Sequence, residues 1–318
     1  MRWLCLGVEK EEKLHIAIFG DVHGHLRLML RLCREWQLAH RTRLDAVLIC
    51  GDLGFFPDRA ALDRATIRFA EKDAEEVGFA LYFAQPQPLM KDPAVDEILC
   101  GPTDSLGTVS CPMIFCHGNH EDFHRLRTYA ESGPLTPVDY YGRVHYLRSG
   151  CCVDIADLRV GALGGEPEWT GCAPAQLVDK WVSPDGAKAL MAVGDFHVLL
   201  SHSPPRFYPR QGHIGSELVQ TVIDTCQPAY HFFGHVRYVC QPQTFGRCQS
   251  FWLQNVTFRP GKGGKHLLDK QCMGILTWQS PTKHSFQYVD EPWFEAIHHR
   301  NWWPPSPIQL SEPQQHLN

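Results

Sequence analysis

Seven apolar runs of five or six residues limit how this chain can fold: LHIAIF at 14–19, DAVLIC at 45–50, FALYF at 79–83, PMIFC at 112–116, LRVGAL at 158–163, FHVLLS at 196–201 and AYHFF at 229–233. Runs this short and this continuous read as strands buried on both faces. Between them, 26–39, 59–77, 121–131 and 215–226 place apolar residues three and four apart, the pattern of a helix with one side in the core. Strands alternating with such helices specify an α/β fold. After 235 only strand-like runs remain, at roughly 237–241, 249–256 and 272–278, which predicts a second sheet or the far edge of the first.

Two segments break the alternation. Residues 85–110 are rich in Pro, Gly and Ser and read as a surface loop bordering a site. From 281 the chain turns to Pro and polar residues and reads as an extended tail, with Trp302 and Trp303 expected to dock on the body of the domain. The predicted organisation is a domain over 1–280, with loop insertions at 85–110 and 164–182, and a Pro- and Trp-rich tail over 281–318.

Charge and cysteine usage narrow the function classes. Thirty Lys and Arg against 35 Asp and Glu give a net charge of −5, which argues against an extended grip on nucleic-acid phosphates. No stretch approaches the roughly 18 to 20 apolar residues of a membrane span. The opening MRWLCLGVEKEEK turns charged before a signal-peptide core can form, so a cytoplasmic protein is expected. Thirteen cysteines with no CxxC pair read as reduced thiols, and Cys151-Cys152 as two small apolar residues on a strand rather than a redox switch.

The polar residues that follow the strands carry the chemistry. The first strand runs into Gly20-Asp21-Val22-His23-Gly24-His25, the second into Gly51-Asp52, the fourth into His117-Gly118-Asn119-His120-Glu121, and later ones into Ser201-His202 and Gly234-His235. Strand ends of an α/β sheet open into one crevice, so these side chains can meet across more than 200 residues of sequence. Carboxylate, imidazole and amide oxygen together are ligands for Mn, Fe or Zn, and the lack of thiolate argues against a structural zinc site. Taken singly, Asp21 and Asp52 read as helix caps, and Asn119, His120, His202 and His235 as loop residues. Five such strand ends in order read as an open catalytic metal site.

D-x-H, then G-D, G-N-H-E, a lone His and G-H, over about residues 14–280, resembles the calcineurin-like metallophosphoesterase superfamily. The resemblance implies a four-layer sandwich, two mixed β-sheets flanked by helices, around two divalent metal ions, manganese first and iron or zinc otherwise. It implies that Asp21 and His23 hold the first metal, that Asp52 bridges both, and that Asn119, His202 and His235 hold the second. His120 would protonate the departing alkoxide or stabilise charge on the phosphoryl group. The activity implied is hydrolysis of a phosphomonoester or small phosphodiester by a hydroxide bridging the metals, with no protein nucleophile.

The expected partner is therefore a small phosphate ester. Two alternatives stand beside this reading: a nuclease or RNA-processing phosphodiesterase, which the net charge does not favour, and a catalytically weak scaffold acting as a binding module. No membrane contact is expected, and a protein partner through the tail stays open.

One position departs from the commonest pattern of the superfamily, G-H-x-H. Here the sequence is Gly234-His235-Val236-Arg237, and arginine stays protonated and cannot ligate a metal. The first metal would then have three protein ligands, an arrangement that resembles the serine/threonine protein phosphatase branch. Arg237 and Asn119 become candidates for holding the substrate phosphate. Gly51-Asp52-Leu53-Gly54 lacks the V-D-R-G continuation of that branch, however, and S-H-S-P-P with H-F-F-G-H is closer to general phosphoesterases. No P-loop or GxSxG occurs, and Gly261-Lys262-Gly263-Gly264-Lys265 reads as a basic loop. Phe55, Phe56, Trp169 and Tyr208, near the motif loops, are expected in the core rather than stacked on a base.

Overall fold

The computed structural model describes residues 13–168, 179–206, 215–236, 239–260 and 265–304. The central strands of the first sheet are β1 (Leu14–Phe19), β2 (Ala46–Ile49), β3 (Met113–Phe115) and β5 (Val144–Leu147), parallel to one another. Antiparallel strands close both sides: β4 (Leu135–Pro137) beyond β5, then β14 (Met273–Ser280) and β15 (Lys283–Tyr288) beyond β1. The second sheet has the same plan, with β7 (Leu158–Leu163), β8 (Val198–Ser201), β9 (Tyr230–Phe233) and β11 (Cys248–Trp252) parallel between antiparallel β6 (Cys152–Ile155) and β10 (Gln243–Phe245). A small pair, β12 (Phe258–Pro260) and β13 (His266–Leu268), stands apart.

Side-chain alternation along the strands builds four layers. Ile16, Ile18, Leu48 and Ile114 of the first sheet pack against Val160, Val198, Leu200, Tyr230 and Phe232 of the second. The alternate residues Ala17, Phe19, Val47 and Ile49 face outward onto the apolar stripe of helix α1 (Leu26–His40). Leu163 and Leu199 face the other way, onto α6 (Pro184–Val193) and α7 (Glu217–Cys226). Strands covered on both faces need no polar side, which is why the sequence runs are continuously apolar. The fold is the α/β sandwich of two mixed sheets flanked by helices. Phe55 and Phe56 are buried, whereas Trp169 and Tyr208 lie outside the described residues. The described cysteines are free, with Cys50 and Cys116 between the sheets and Cys151 and Cys152 half-buried.

Several local expectations give way. FALYF is helical, α3 (Gly78–Tyr82), with Phe83 N donating to Phe79 O at 2.9 Å. Phe79, Ala80, Tyr82 and Phe83 are all buried, so the segment has no polar side from which a period could be read. The long helix expected over 59–77 is instead α2 (Arg64–Ala70) between single turns at 59–61 and 74–77, interrupted where Asp63 and Asp73 cap new starts. The 85–110 segment contains α4 (Pro93–Cys100), anchored by Val95, Ile98 and Leu99. A strand over 237–241 is not formed at 239–241, and 237–238 lie outside the described residues.

The segment from 281 is not extended throughout. β15 pairs along β14, and α8 (Pro292–Ala296) buries Trp293 and Phe294. Trp302 and Trp303 dock as expected: Trp303 Nε1 donates to Asp92 Oδ2 at 2.9 Å, and both rings lie within 5.6 Å of the Arg27 guanidinium. Arg27 in turn pairs with Glu75 and Asp92. Among the described residues no helix is long and apolar enough to cross a membrane.

Candidate metal centre

The C-terminal ends of β1, β2 and β3 in one sheet and of β8 and β9 in the other deliver the polar residues to one crevice. Three of them, His23, Asp52 and His235, hold φ values of 44°, 43° and 66°. A side chain in this left-handed region costs roughly 1–3 kcal/mol and persists only where its surroundings dictate it. Two glycines provide room for the carboxylates. A Cβ on Gly118 would stand 2.1 Å from Asp52 Oδ1, and one on Gly234 would stand 2.0 Å from Asp21 Oδ1.

Hydrogen bonds between the loops supply the rest of the restraint. Val22 N and His23 N donate to Asp52 O at 2.9 and 2.7 Å, and Gly24 N donates to Leu53 O at 2.8 Å. Asn119 N and His120 N donate to Asp52 Oδ1 at 2.6 and 2.8 Å, and His235 N donates to Asp21 Oδ1 at 2.9 Å. Buried Glu121 accepts from Leu53 N and Phe55 N at 2.9 and 2.6 Å, tying the third loop to the second. Each aspartate therefore spends Oδ1 on backbone amides and turns Oδ2 toward the imidazoles.

Two adjoining clusters result, sharing Asp52 Oδ2. In the first, His23 Nε2 lies 3.9 Å from Asp21 Oδ2 and 3.7 Å from Asp52 Oδ2, and these three residues form a group able to hold a metal ion. In the second, His202 Nε2 lies 3.5 Å from Asp52 Oδ2, 2.9 Å from Asn119 Oδ1 and 3.0 Å from His235 Nδ1. His202 Nδ1 donates to the Cys50 carbonyl at 2.9 Å, so in the neutral ring Nε2 carries a lone pair. That lone pair faces two oxygens, and such a convergence of acceptors is relieved by a cation between them. The donor set fits divalent metals of the Mn, Fe and Zn kind.

The electrostatics agree. Burial, with the Asp52 charge adding to it, raises the Asp21 carboxyl to about 7 against the pull of His202. Burial lowers the His23 imidazole to about 4, despite the neighbouring Asp52. Burial opposes ionisation of Asp52 too, but His202, His120 and His23 hold its carboxyl below the usual range. The site thus presents a neutral His23 imidazole between an ionised Asp52 and an Asp21 whose charge is costly as it stands.

His120 is distinct. Its Nδ1 lies 2.6 Å from Asp63 Oδ2. Burial alone would lower this imidazole, but the Asp63 hydrogen bond and the Asp52 charge raise it to about 9. The sequence reading missed Asp63, eleven residues beyond Asp52. Its signal was the Asp-x-x-Thr spacing of a helix cap: Thr66 N donates to Asp63 Oδ1, leaving Oδ2 for His120. Glu121 was read only as part of a motif. Arg237 lies outside the described residues.

Asp21, His23 and His120 line a cavity of ≈250 Å³, walled by α2 and by Glu76, Asn255 and Arg259. A larger one of ≈520 Å³, lined by Phe123, Arg127 and Trp181 among others, contains none of the candidate ligands.

The family model of calcineurin-like phosphoesterases matches residues 14–236. No curated protein matches the chain. Among solved structures, GAP50, the anchor in the inner membrane complex of Plasmodium, is similar over 90% of this chain and 88% of its own, with a TM-score of 0.50 and 10% identity. A protein of Thermus thermophilus is similar over 88% of this chain and all of its own, with a TM-score of 0.44 and 15% identity. A novel phosphatase of Mycoplasma pneumoniae is similar over 92% and 99%, with a TM-score of 0.42 and 11% identity. At 10% identity the likeness to GAP50 speaks to fold alone.

Proposed function

Because the chain belongs to the calcineurin-like phosphoesterase family, we propose that it hydrolyses a phosphomonoester or small phosphodiester, with two divalent cations as cofactors, manganese first and iron or zinc otherwise. The observation that carries the reading is the shared Asp52 Oδ2, which faces a ring nitrogen of His23 on one side and of His202 on the other. Asp21, His23 and Asp52 would hold one cation, and Asp52, Asn119, His202 and His235 the other. Two cations bound there supply charge neutralisation for the phosphoryl oxygens and make water available as a nucleophile near neutral pH.

The protein's own groups perform the remaining work. His120, kept protonated by Asp63, donates its proton to the leaving oxygen, which would otherwise depart as a basic alkoxide. Asp63 holds the ring by its Nδ1 side, which directs Nε2 at the substrate. Asn119, with Arg237, is assigned to the phosphate oxygens. One water is consumed: its oxygen joins phosphorus, the P–O bond to the alcohol breaks, the alcohol leaves with the proton from His120, and the proton given up by the water restores the imidazole through solvent. A cleft of ≈250 Å³ lies below the roughly 300–1,000 Å³ usual for ligand pockets, which supports a small leaving group over a nucleic-acid strand.

The test is turnover of p-nitrophenyl phosphate and bis-p-nitrophenyl phosphate, with and without manganese, by the wild type and by Asp52→Asn and His120→Ala. Metal-dependent turnover lost in Asp52→Asn is expected, and the ratio of the two esters separates monoesterase from diesterase. Bound manganese without turnover of either ester would replace this reading with a binding scaffold.

A further inference from the structure

The cleft beside the candidate centre has a wall whose charge the reaction does not use. Around it the acidic side chains are matched one by one. Asp63 pairs with His120, Asp73 with His25 at 3.0 Å, Glu75 with Arg27, and Asp269 with Arg259. Glu121 is satisfied by the amides of Leu53 and Phe55. Glu76 is the exception: among the described residues its carboxylate has neither a hydrogen-bond nor an ion-pair partner, yet it lines the same cavity as Asp21, His23 and His120.

Among the described residues, the basic groups that act on Glu76 are committed elsewhere. His25 and His120 act on its charge from a distance, but each already has its own carboxylate, and Arg259, the cation of the cavity wall, is held by Asp269. Burial raises the Glu76 carboxyl to about 7, and the Asp73 and Asp52 charges push in the same direction. A half-buried carboxylate among carboxylates is stabilised by a cation brought from outside. A leaving group that extends from Asp21, His23 and His120 into this cavity would meet Glu76 on its wall.

We infer that Glu76 determines specificity, and that the preferred substrate is a small phosphate ester whose leaving alcohol carries a protonated amine. The inference rests on the phosphoesterase reading above and adds the chemistry of the leaving group. An ammonium two or three bonds from the ester oxygen donates to Glu76 in a charge-assisted hydrogen bond. A second phosphate or a carboxylate at that end meets like charge.

The test uses three monoesters of matched size on the manganese-loaded full chain: 2-aminoethyl phosphate, n-propyl phosphate and phosphoglycolate. In the wild type, kcat/KM is expected to favour the amine over its propyl isostere by about 10- to 100-fold, the range of a hydrogen bond to a charged group. Phosphoglycolate should be the poorest of the three. In Glu76→Gln the amine-to-propyl ratio should fall toward one, chiefly through KM, and in Glu76→Lys the order of amine and glycolate should reverse.

A wild-type ratio near one, or a ratio that survives in Glu76→Gln, overturns the inference while leaving the phosphoesterase reading in place. The wild-type series decides by itself if neither variant accumulates as folded protein. Failure of the wild type to hydrolyse these esters and p-nitrophenyl phosphate alike overturns the phosphoesterase reading and the inference with it.

Discussion

Replacing Glu121 with Gln removes one oxygen from the clamp that holds the Asp52 turn. Both carboxylate oxygens are in use: Oε2 accepts from Phe55 N at 2.6 Å, and Oε1 accepts from Leu53 N at 2.9 Å and, more weakly, from Gly118 N at 3.4 Å. Burial and the Asp52 charge push this carboxyl up, while the three amides pull it down. Burial prevails and the carboxyl stands well above its usual range, yet each oxygen serves a backbone donor. Glutamine offers a single acceptor and sets an NH2 group against a backbone N–H. One buried amide then loses its acceptor, at a cost of about 1–3 kcal/mol.

The freed turn cannot hold itself. Gly51, Asp52 and Gly54 have φ of 85°, 43° and 75°, so Asp52 has no local preference for the place it occupies. Losing an outer partner of this kind weakens metal affinity by about 10- to 100-fold. Urea unfolding of the metal-free protein measures the first quantity and calorimetric titration with manganese the second. A variant within about 0.5 kcal/mol of wild type that also binds manganese equally well would refute the reasoning.

Three further outcomes follow from the geometry. In Asp63→Asn the support for the His120 proton is lost, so burial dominates and the basic limb of the kcat/KM profile moves to lower pH; a limb that stays in place counts against the His120–Asp63 pair. Gly118→Ala forces a methyl group to within 2.1 Å of Asp52 Oδ1, and manganese affinity should drop by about tenfold or more while circular dichroism stays native; wild-type affinity would rule this out. His231, buried between Ser201 and Ser250, is pushed down to about 3 by burial. Its unfolded value is about 6.5, so the unfolded chain takes up the proton first as pH falls. The stabilisation is full above 6.5 and is lost toward 3, by up to about 1.4 kcal/mol per pH unit. Urea midpoints of His231→Gln should therefore fall less steeply than those of wild type between pH 6.5 and 4.5, and parallel curves would contradict this.

The site-bearing strands were legible because burial on both faces leaves a continuous apolar run that ends abruptly where the chain reaches the crevice. Asp21, Asp52 and Asn119 follow such endings, and their order along the chain carried the family resemblance. What stayed hidden was relational. Asp63 and Glu121 matter because of atoms 57 and 66 residues away along the chain, His120 Nδ1 and Phe55 N, and no local pattern encodes that. The mistaken strand at 79–83 failed for the opposite reason, since a helix that is apolar on every side has no period to read. β15 did carry an alternation, with Lys283, Ser285 and Gln287 exposed and His284, Phe286 and Tyr288 partly covered, but Pro281 and the polar residues around it disguised it as a tail.

The division of the candidate ligands between two sheets also bears on the order in which the protein is made. Asp21, His23, Asp52 and Asn119 are synthesised early, yet β1 acquires its antiparallel neighbour only when residues 273–280 exist, and His202 and His235 arrive on strands of the other sheet. The second cluster has no geometry until the two sheets lie face to face. Metal capture by the second cluster is therefore expected only after residues 229–233 have been made and paired, and cations held there would tie together two sheets made at different times.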